Sequence, residues 1–240
     1  MAAGGHESFS FVDVIPLLDR LPDHVANAIV VVVVLLVAAY AAMRKLSKDP
    51  EAYIIPEDRV TLRNFFDLAV EGILKFVKDN MGPRGPEFMM IIGALAFFIF
   101  FSNIWGLIPG FHSPTETLNT TGACALTVFF LTHYYGIREH GLKYIKHFMG
   151  PVVWLAPLFF PIEMISHIVR PVSLSIRLFG NIFGDHYVLG IVFALVPLLI
   201  PLPMMLLGIF VAIVQTLVFI LLSMAYFAGA VEEMEHEEGH

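Results

Sequence analysis

Charged residues fall so unevenly along this chain that the gaps between them outline its elements. Residues 25–43, 88–111 and 187–231 contain no Asp, Glu, Lys or Arg. About 20 apolar residues make a helix of about 30 Å, the thickness of a bilayer's hydrocarbon layer. Residues 25–43 and 88–111 are therefore predicted to cross a membrane, the second most cleanly. A further crossing is predicted over 118–135, which is shorter and carries His133 near its end. The final run is interrupted by Pro197, Pro201 and Pro203, which predict a hairpin turn with arms 157–196 and 204–230. As a helix the first arm would measure roughly 60 Å, too long to stand upright, so it must tilt steeply, kink or lie partly in the membrane plane. Pro161 and Pro171 are placed to bend it.

Residues 57–80 have another character. Arg59, Arg63, Asp67, Glu71, Lys75 and Lys78 are set among Phe65, Phe66, Leu68, Val70, Ile73, Leu74 and Val77. Mixed charge at helical spacing with a bulky apolar face predicts an amphipathic helix lying in the cytoplasmic interface without crossing it. A solvated helix packed against another subunit has the same pattern. The expected fold is thus an all-α membrane protein with about five transmembrane helices, one amphipathic interfacial helix, and a last pair forming a long, steeply tilted hairpin.

Composition fixes the class. The chain is 58% hydrophobic and 15% charged with a mean hydropathy of +0.78, whereas soluble domains carry about 25% charged residues. The net charge of -7 says little about the body, because Glu232, Glu233, Glu235, Glu237 and Glu238 crowd into one short tail. Cys124 is the one cysteine, so no internal disulfide or cysteine metal cluster can form.

Flanking charges set the orientation. Asp13, Asp19 and Asp23 outnumber Arg20 before the first apolar run, and Arg44, Lys45 and Lys48 follow it. That is the reverse of a secretory signal and predicts an uncleaved first span entering from outside. The basic cluster Arg138, Lys143 and Lys146, with His140 and His147, belongs in the cytoplasm, and the loop 109–118, without Lys or Arg, belongs outside.

Within the first long arm, Glu163, Ser166, Arg170, Ser173, Arg177 and Asn181 recur at steps of three or four. On a helix they form a stripe roughly 80° wide. One face of a buried helix is thus expected to be polar. His186 points to about the opposite side from Arg177, with Asp185 between the two faces. A guanidinium in hydrocarbon costs about 2.5 to 3.5 kcal/mol even on the lenient scale, so Arg177 calls for a compensating reason. No acid lies three or four residues from it, so its partner is expected from another helix or another chain. For Arg170 a snorkelling anchor, and for Glu163 with Arg170 a static buried pair, fit the pattern as well as a functional role does.

The run Pro171-Val172-Ser173-Leu174-Ser175 followed by Arg177-Leu178-Phe179-Gly180-Asn181 resembles the signature of subunit a of bacterial-type F-type ATP synthases, the stator of their membrane (Fo) sector. Phe101-Ser102-Asn103, Gly106-Leu107-Ile108-Pro109-Gly110-Phe111, the loop from His140 to Phe148, and Gln215 extend the likeness from about residue 57 to 230. The charge pattern and the resemblance together give the expected organisation: an external segment 1–24, a first transmembrane helix 25–43, a cytoplasmic-face helix 57–80, an ion-translocating helical domain 88–230, and an acidic cytoplasmic tail 231–240.

It implies two aqueous half-channels meeting a ring of c subunits on either side of Arg177, which faces the ring's carboxylate. Asn181 would hold the ring-facing geometry and Gln215 would orient the guanidinium. Asn103, Asn119 and His186 match the external half-channel; Glu163, Ser166 and Ser173 match the cytoplasmic one. The last helix lacks a titratable residue to complement His186, so proton access there must rest on Asp185, His186 and water. The implied partners are the c-ring, peripheral-stalk b subunits, the catalytic head indirectly, and the lipid of a bacterial plasma membrane. No nucleic acid, cofactor, metal or catalytic site of its own is implied. A lone transporter using Arg177 as an anion anchor is the competing reading, but it wants internal repeats that the two halves do not show. A hydrolase using Ser173 or Ser175 with His186 lacks a nucleophile turn. The tail from His236 to His240 reads as a solvated terminus before a loose metal binder.

Overall fold

The computed structural model describes residues 21–44, 61–108, 110–141, 144, 156–195 and 201–232. Most of the external segment, residues 57–60, Pro197, Lys143, Lys146 and the tail from 233 onward lie outside the described residues. The regular structure described is helical: α1 Asp23–Met43, α2 Leu62–Met81, α3 Gly85–Trp105, α4 Leu118–His140, α5 Ala156–Leu195 and α6 Pro201–Glu232, with short 3-10 turns at Gly82–Arg84 and Pro114–Glu116.

The helix boundaries have local causes. Thr61 opens α2 by accepting a hydrogen bond from the Asn64 amide at 3.3 Å, satisfying one of the donors a helix start leaves over. Gly82, at φ 63°, closes it in a conformation that only glycine adopts cheaply. The apolar run 88–111 is not all helix, since α3 stops at Trp105. There Leu107 N bonds Ile104 O and Ile108 N bonds Trp105 O, turning the chain before Pro109. In contrast, α4 runs past Tyr135 to His140, carrying Arg138 and Glu139 in its last turn. Pro201 and Pro203 sit in the first turn of α6 and not in the hairpin loop, which a helix tolerates because first-turn N–H groups have no intrahelical partner anyway.

Four stretches, lying in α1, α2–α3, α5 and α6, are long and apolar enough to cross a membrane by length and composition. The 23-residue α4 is long enough too but more polar. Together α1, α3, α4, α5 and α6 make the expected set of about five. The 40 residues of α5 and the 32 of α6 both exceed what an upright crossing needs.

One core joins α2 to α6. Val77 and Met81, then Phe88, Ile92 and Ile99, Ala125 and Val128, Leu174 and Leu178, and Phe219, Ile220 and Phe227 interlock at its centre, with the rings of Phe88 and Phe227 stacked at 5.3 Å. α1 stands at the edge, pinned where buried Asn27 donates to Asp23 O at 2.8 Å and accepts from Trp105 Nε1 at 3.2 Å.

Candidate functional site

α5 has a face for its own chain and a face for something else. Leu174, Ser175, Leu178 and Ile182 are buried against α4 and α6, and Ser175 Oγ meets Thr121 Oγ1 of α4 at 3.2 Å. Ser166, Ser173, Arg177 and Asn181 are exposed, with Glu163 and Arg170 half-buried beside them. The polar stripe is therefore not buried within this chain as expected; it lies on the outer face, among exposed Val169, Val172, Ile176 and Phe183. Core packing decides this, because the stripe lies about 100° around the helix from the row Leu174, Leu178 and Ile182.

Among the described residues Arg177 makes no hydrogen bond or ion pair. Gln215 was expected at the guanidinium. Instead it is buried on α6 and its Oε1 accepts from Asn181 Nδ2 at 2.6 Å, locking α5 to α6 one turn beyond the arginine. Among the described residues the guanidinium has no counter-charge, and its exposed neighbours on this face are the neutral Ser173 and Asn181 and the apolar Val169, Val172 and Ile176, a position that is costly in lipid unless another molecule supplies one.

About 14 Å further along the helix, by the ordinary rise per residue, α5 reaches a polar cluster under the α3–α4 loop. The cluster exists because Gly106 has no side chain: a Cβ there would collide with the His186 imidazole and the Ser113 Cβ. His186 Nδ1 lies 3.3 Å from Glu116 Oε2, and His112 Nδ1 lies 3.9 Å from the same oxygen. Burial raises the proton affinity of the Glu116 carboxyl, but hydrogen bonds from His112 and His186 and their charges outweigh it, holding the group at about 2. Gly106, Ile108, Phe111, His112, Glu116 and His186 help line a cavity of about 310 Å³, roomy enough for several waters at about 30 Å³ each.

Behind it a buried chain of polar atoms ties the loop to α3. Ser113 Oγ donates to Ser102 O at 2.7 Å, Ser113 and Thr115 share a 2.7 Å hydroxyl contact, and Thr115 Oγ1 donates to Asn103 Oδ1 at 2.6 Å, while Asn103 Nδ2 has no partner among the described residues. Two hydroxyl protons cannot serve three contacts. Rotating the Asn103 amide so that Nδ2 donates to Thr115 frees the threonine proton for Ser113 and supplies all three. Asp185 is half-buried beside His186. Asn119 does not join this group; it is exposed in the first turn of α4.

On the other side of Arg177, about 21 Å back along α5, Glu163 Oε1 lies 3.3 Å from His167 Nδ1, and Arg170 stacks over the Tyr226 ring of α6 with its guanidinium carbon 5.6 Å from the centroid. Arg170 is thus engaged with α6. Glu116, His112 and His167 were missed by the sequence reading. His112 and Glu116 stand four residues apart in a loop otherwise short of charge, a signal that attention to lysine and arginine alone passed over. Among the described residues no group of three His, Cys, Asp or Glu is placed to hold a metal ion.

Residues 25–228 match the family model described as ATP synthase A chain. The chain is 57% identical over 172 residues to ATP synthase subunit a 2 of Syntrophotalea carbinolica, covering 72% of this chain and 74% of that protein. It is 50% identical over 210 residues to ATP synthase subunit a 1 of the same organism, covering 88% and 86%. To ATP synthase subunit a of Trichlorobacter lovleyi it is 49% identical over 218 residues, covering 89% and 91%. With its apolar helices and these relatives, this multi-pass, all-helical membrane protein belongs to the ATP synthase A chain family, the subunit a of F-type ATP synthases.

Proposed function

We propose that this chain is the stationary partner of a rotating ring in a proton-driven ATP synthase, and that Arg177 is the fixed charge dividing two half-channels. The observation carrying the reading is Arg177 itself, a cation on the exposed face of α5 with no partner among the described residues. A ring of c subunits bringing one buried carboxyl at a time to that face supplies the missing counter-charge. The guanidinium lowers the carboxyl's pKa and drives off its proton; the carboxyl, reprotonated beyond it, re-enters lipid neutral and at much lower cost. Arginine suits the task because it stays protonated at any pH at which the protein works and so cannot relay the proton itself. Each proton crossing 100 mV makes about 2.3 kcal/mol available, which a water wire past Arg177 would waste.

The two flanking clusters are the half-channels in this proposal. The cavity at Glu116, His112 and His186, with Asp185 and Asn103 nearby, opens to the outside, and Asn119 stands at its outer rim. The acid complementing His186 therefore comes from the α3–α4 loop and not from the last helix. Glu163, Ser166 and Ser173 line the cytoplasmic path. Asn181, held by Gln215, keeps the guanidinium's face in register with the ring. The amino terminus is outside and the carboxy terminus in the cytoplasm of a bacterial inner membrane. Peripheral-stalk b subunits hold the chain against rotation, and through the stalk and ring it couples to the catalytic head. α5 and α6 tilt along the ring, as their lengths require.

Replacing Arg177 with Ala tests this. ATP-driven proton pumping by the assembled complex should disappear, and Arg177→Lys should fail too, because a buried ammonium sheds its proton and lacks the planar fork. Normal pumping by Arg177→Ala would overturn the assignment.

A further inference from the structure

Under the outer face of α5 two imidazoles from different helices meet. The ring centroids of His133 on α4 and His167 on α5 are 5.4 Å apart, His167 is buried, and both line a cleft with Thr132, Arg170, Pro171 and Tyr226. Each ring is held by its Nδ1 to the carbonyl four residues back on its own helix, His133 to Phe129 O at 2.8 Å and His167 to Glu163 O at 3.1 Å. A carbonyl only accepts, so in the neutral rings Nδ1 carries the proton and the lone pair is on Nε2. The basic nitrogen of each neutral ring is therefore Nε2. A proton gained there by His167 finds the Glu163 carboxylate in place, 3.3 Å from the other nitrogen.

Among the described residues, charged and titratable groups facing His167 include Glu163 and Arg170 on α5 and His133 on α4. Arg170 is drawn toward Tyr226 on α6, and Tyr144 lies 6.0 Å from His133 on its far side. Packing alone would be served as well by phenylalanine. Two rings of matched tautomer, one backed by a carboxylate, make a site for a proton.

We propose that His167, with His133 behind it, is a proton-exchange station on the Glu163 side of Arg177 and sets the pH range over which that half-channel conducts; this rests on the rotary reading above. An N–H bond forms at His167 Nε2 as a proton arrives from water, the imidazolium is stabilised by Glu163, and the same N–H bond breaks as the proton moves on, restoring the neutral ring. Protonation of either ring disfavours protonation of the other, because the like charges are close, so the pair carries one proton at a time.

His167→Asn is the decisive variant, because its amide keeps a donor near the Nδ1 position for Glu163 O but takes up no proton. ATP-driven pumping is measured in sealed vesicles of the assembled complex with pH varied on one face at a time. The ratio of variant to parent rates cancels the catalytic head's own pH dependence. Varying pH on the Glu163-facing side should change that ratio about tenfold over the interval in which the imidazole takes up its proton, whereas varying it on the opposite side should leave it flat. His133→Asn should displace the dependence toward higher pH, by removing a competing positive charge. A ratio constant with pH on the Glu163 side, or one that changes equally from both sides, overturns the proposal. If His167→Asn does not assemble, the His133→Asn displacement decides it, and its absence counts against the station. Failure of the rotary reading is separate, since it would appear as normal pumping by Arg177→Ala whatever His167 does.

Discussion

Glu116 and Arg177 are both charges set against apolar helices, and this chain treats them in opposite ways. Glu116 is enclosed: His112 and His186 reach its carboxyl, and the loop that carries it is stitched to α3 through Ser113 and Thr115. Arg177 has no partner among the described residues and faces away from the core. A charge whose counter-charges belong to its own chain has its protonation set by the fold. A charge without them has its behaviour set by whatever docks against it. Under the rotary reading the contrast separates parts of the molecule that are complete from a part that is finished only in an assembly.

The sharpest way to break that comparison is at Arg177. Under the rotary reading Arg177→Ala loses coupled pumping by roughly 100-fold or more, the scale of deleting one preorganised charge beside a reacting group. Because the side chain makes no bond among the described residues, the detergent-solubilised protein should keep its thermal midpoint. A large loss of stability would mean that Arg177 is a structural residue after all.

Gly106 probes the opposite case. Gly106→Val drives a side chain into His186 and Ser113, and overpacking at such a site costs about 3 kcal/mol. The expected result is a lowered midpoint with Glu116 and His186 separated, read as loss of amide protection in residues 113–117.

Glu116→Gln should be gentler, lowering pumping about tenfold through loss of the carboxylate charge that holds His186 and His112, while the loop stays folded. It also carries a pH signature. The folded carboxyl sits at about 2 and its ordinary value is 4.5, so the native state binds the proton more weakly than the unfolded chain. Glu116's stabilising contribution is then fully present above about 4.5 and is lost as pH falls toward about 2. Amide protection in the parent loop should decline over that window, and in Glu116→Gln the decline should be absent. The smallest effect belongs to the link nearest Arg177: a double-mutant cycle on Asn181→Ala and Gln215→Ala should give a coupling of about 1 kcal/mol.

Much of this was legible along the chain, and the errors cluster where distant segments meet. Charge at helical spacing placed α2, a long apolar run broken by prolines placed α5 and α6, and the polar steps from Glu163 to Asn181 identified one face. The end of the 88–111 run was misjudged because an apolar composition does not distinguish the last turns of a helix from a buried loop, and Gly106 begins that loop. Gln215 was paired with the wrong neighbour. A helix face can be read from spacing, but which of Arg177 and Asn181 it meets depends on the rotation of α6 against α5.

The sequence by itself determined that this is a helical membrane protein, which runs are long and apolar enough to cross, and that Arg177 demands a partner. Those follow from quantities local to the chain: rise per residue, charge-free length and the cost of a guanidinium in hydrocarbon. Only the tertiary structure decided that the polar stripe faces outward, that Glu116 closes on His186 across 70 residues of chain, and that His133 and His167 share a cleft. Those depend on which helices neighbour one another and how each is rotated about its axis. The packing of Leu174, Leu178, Phe219 and Phe227 settles both, since turning α5 by one residue would bury Arg177 and expose the core.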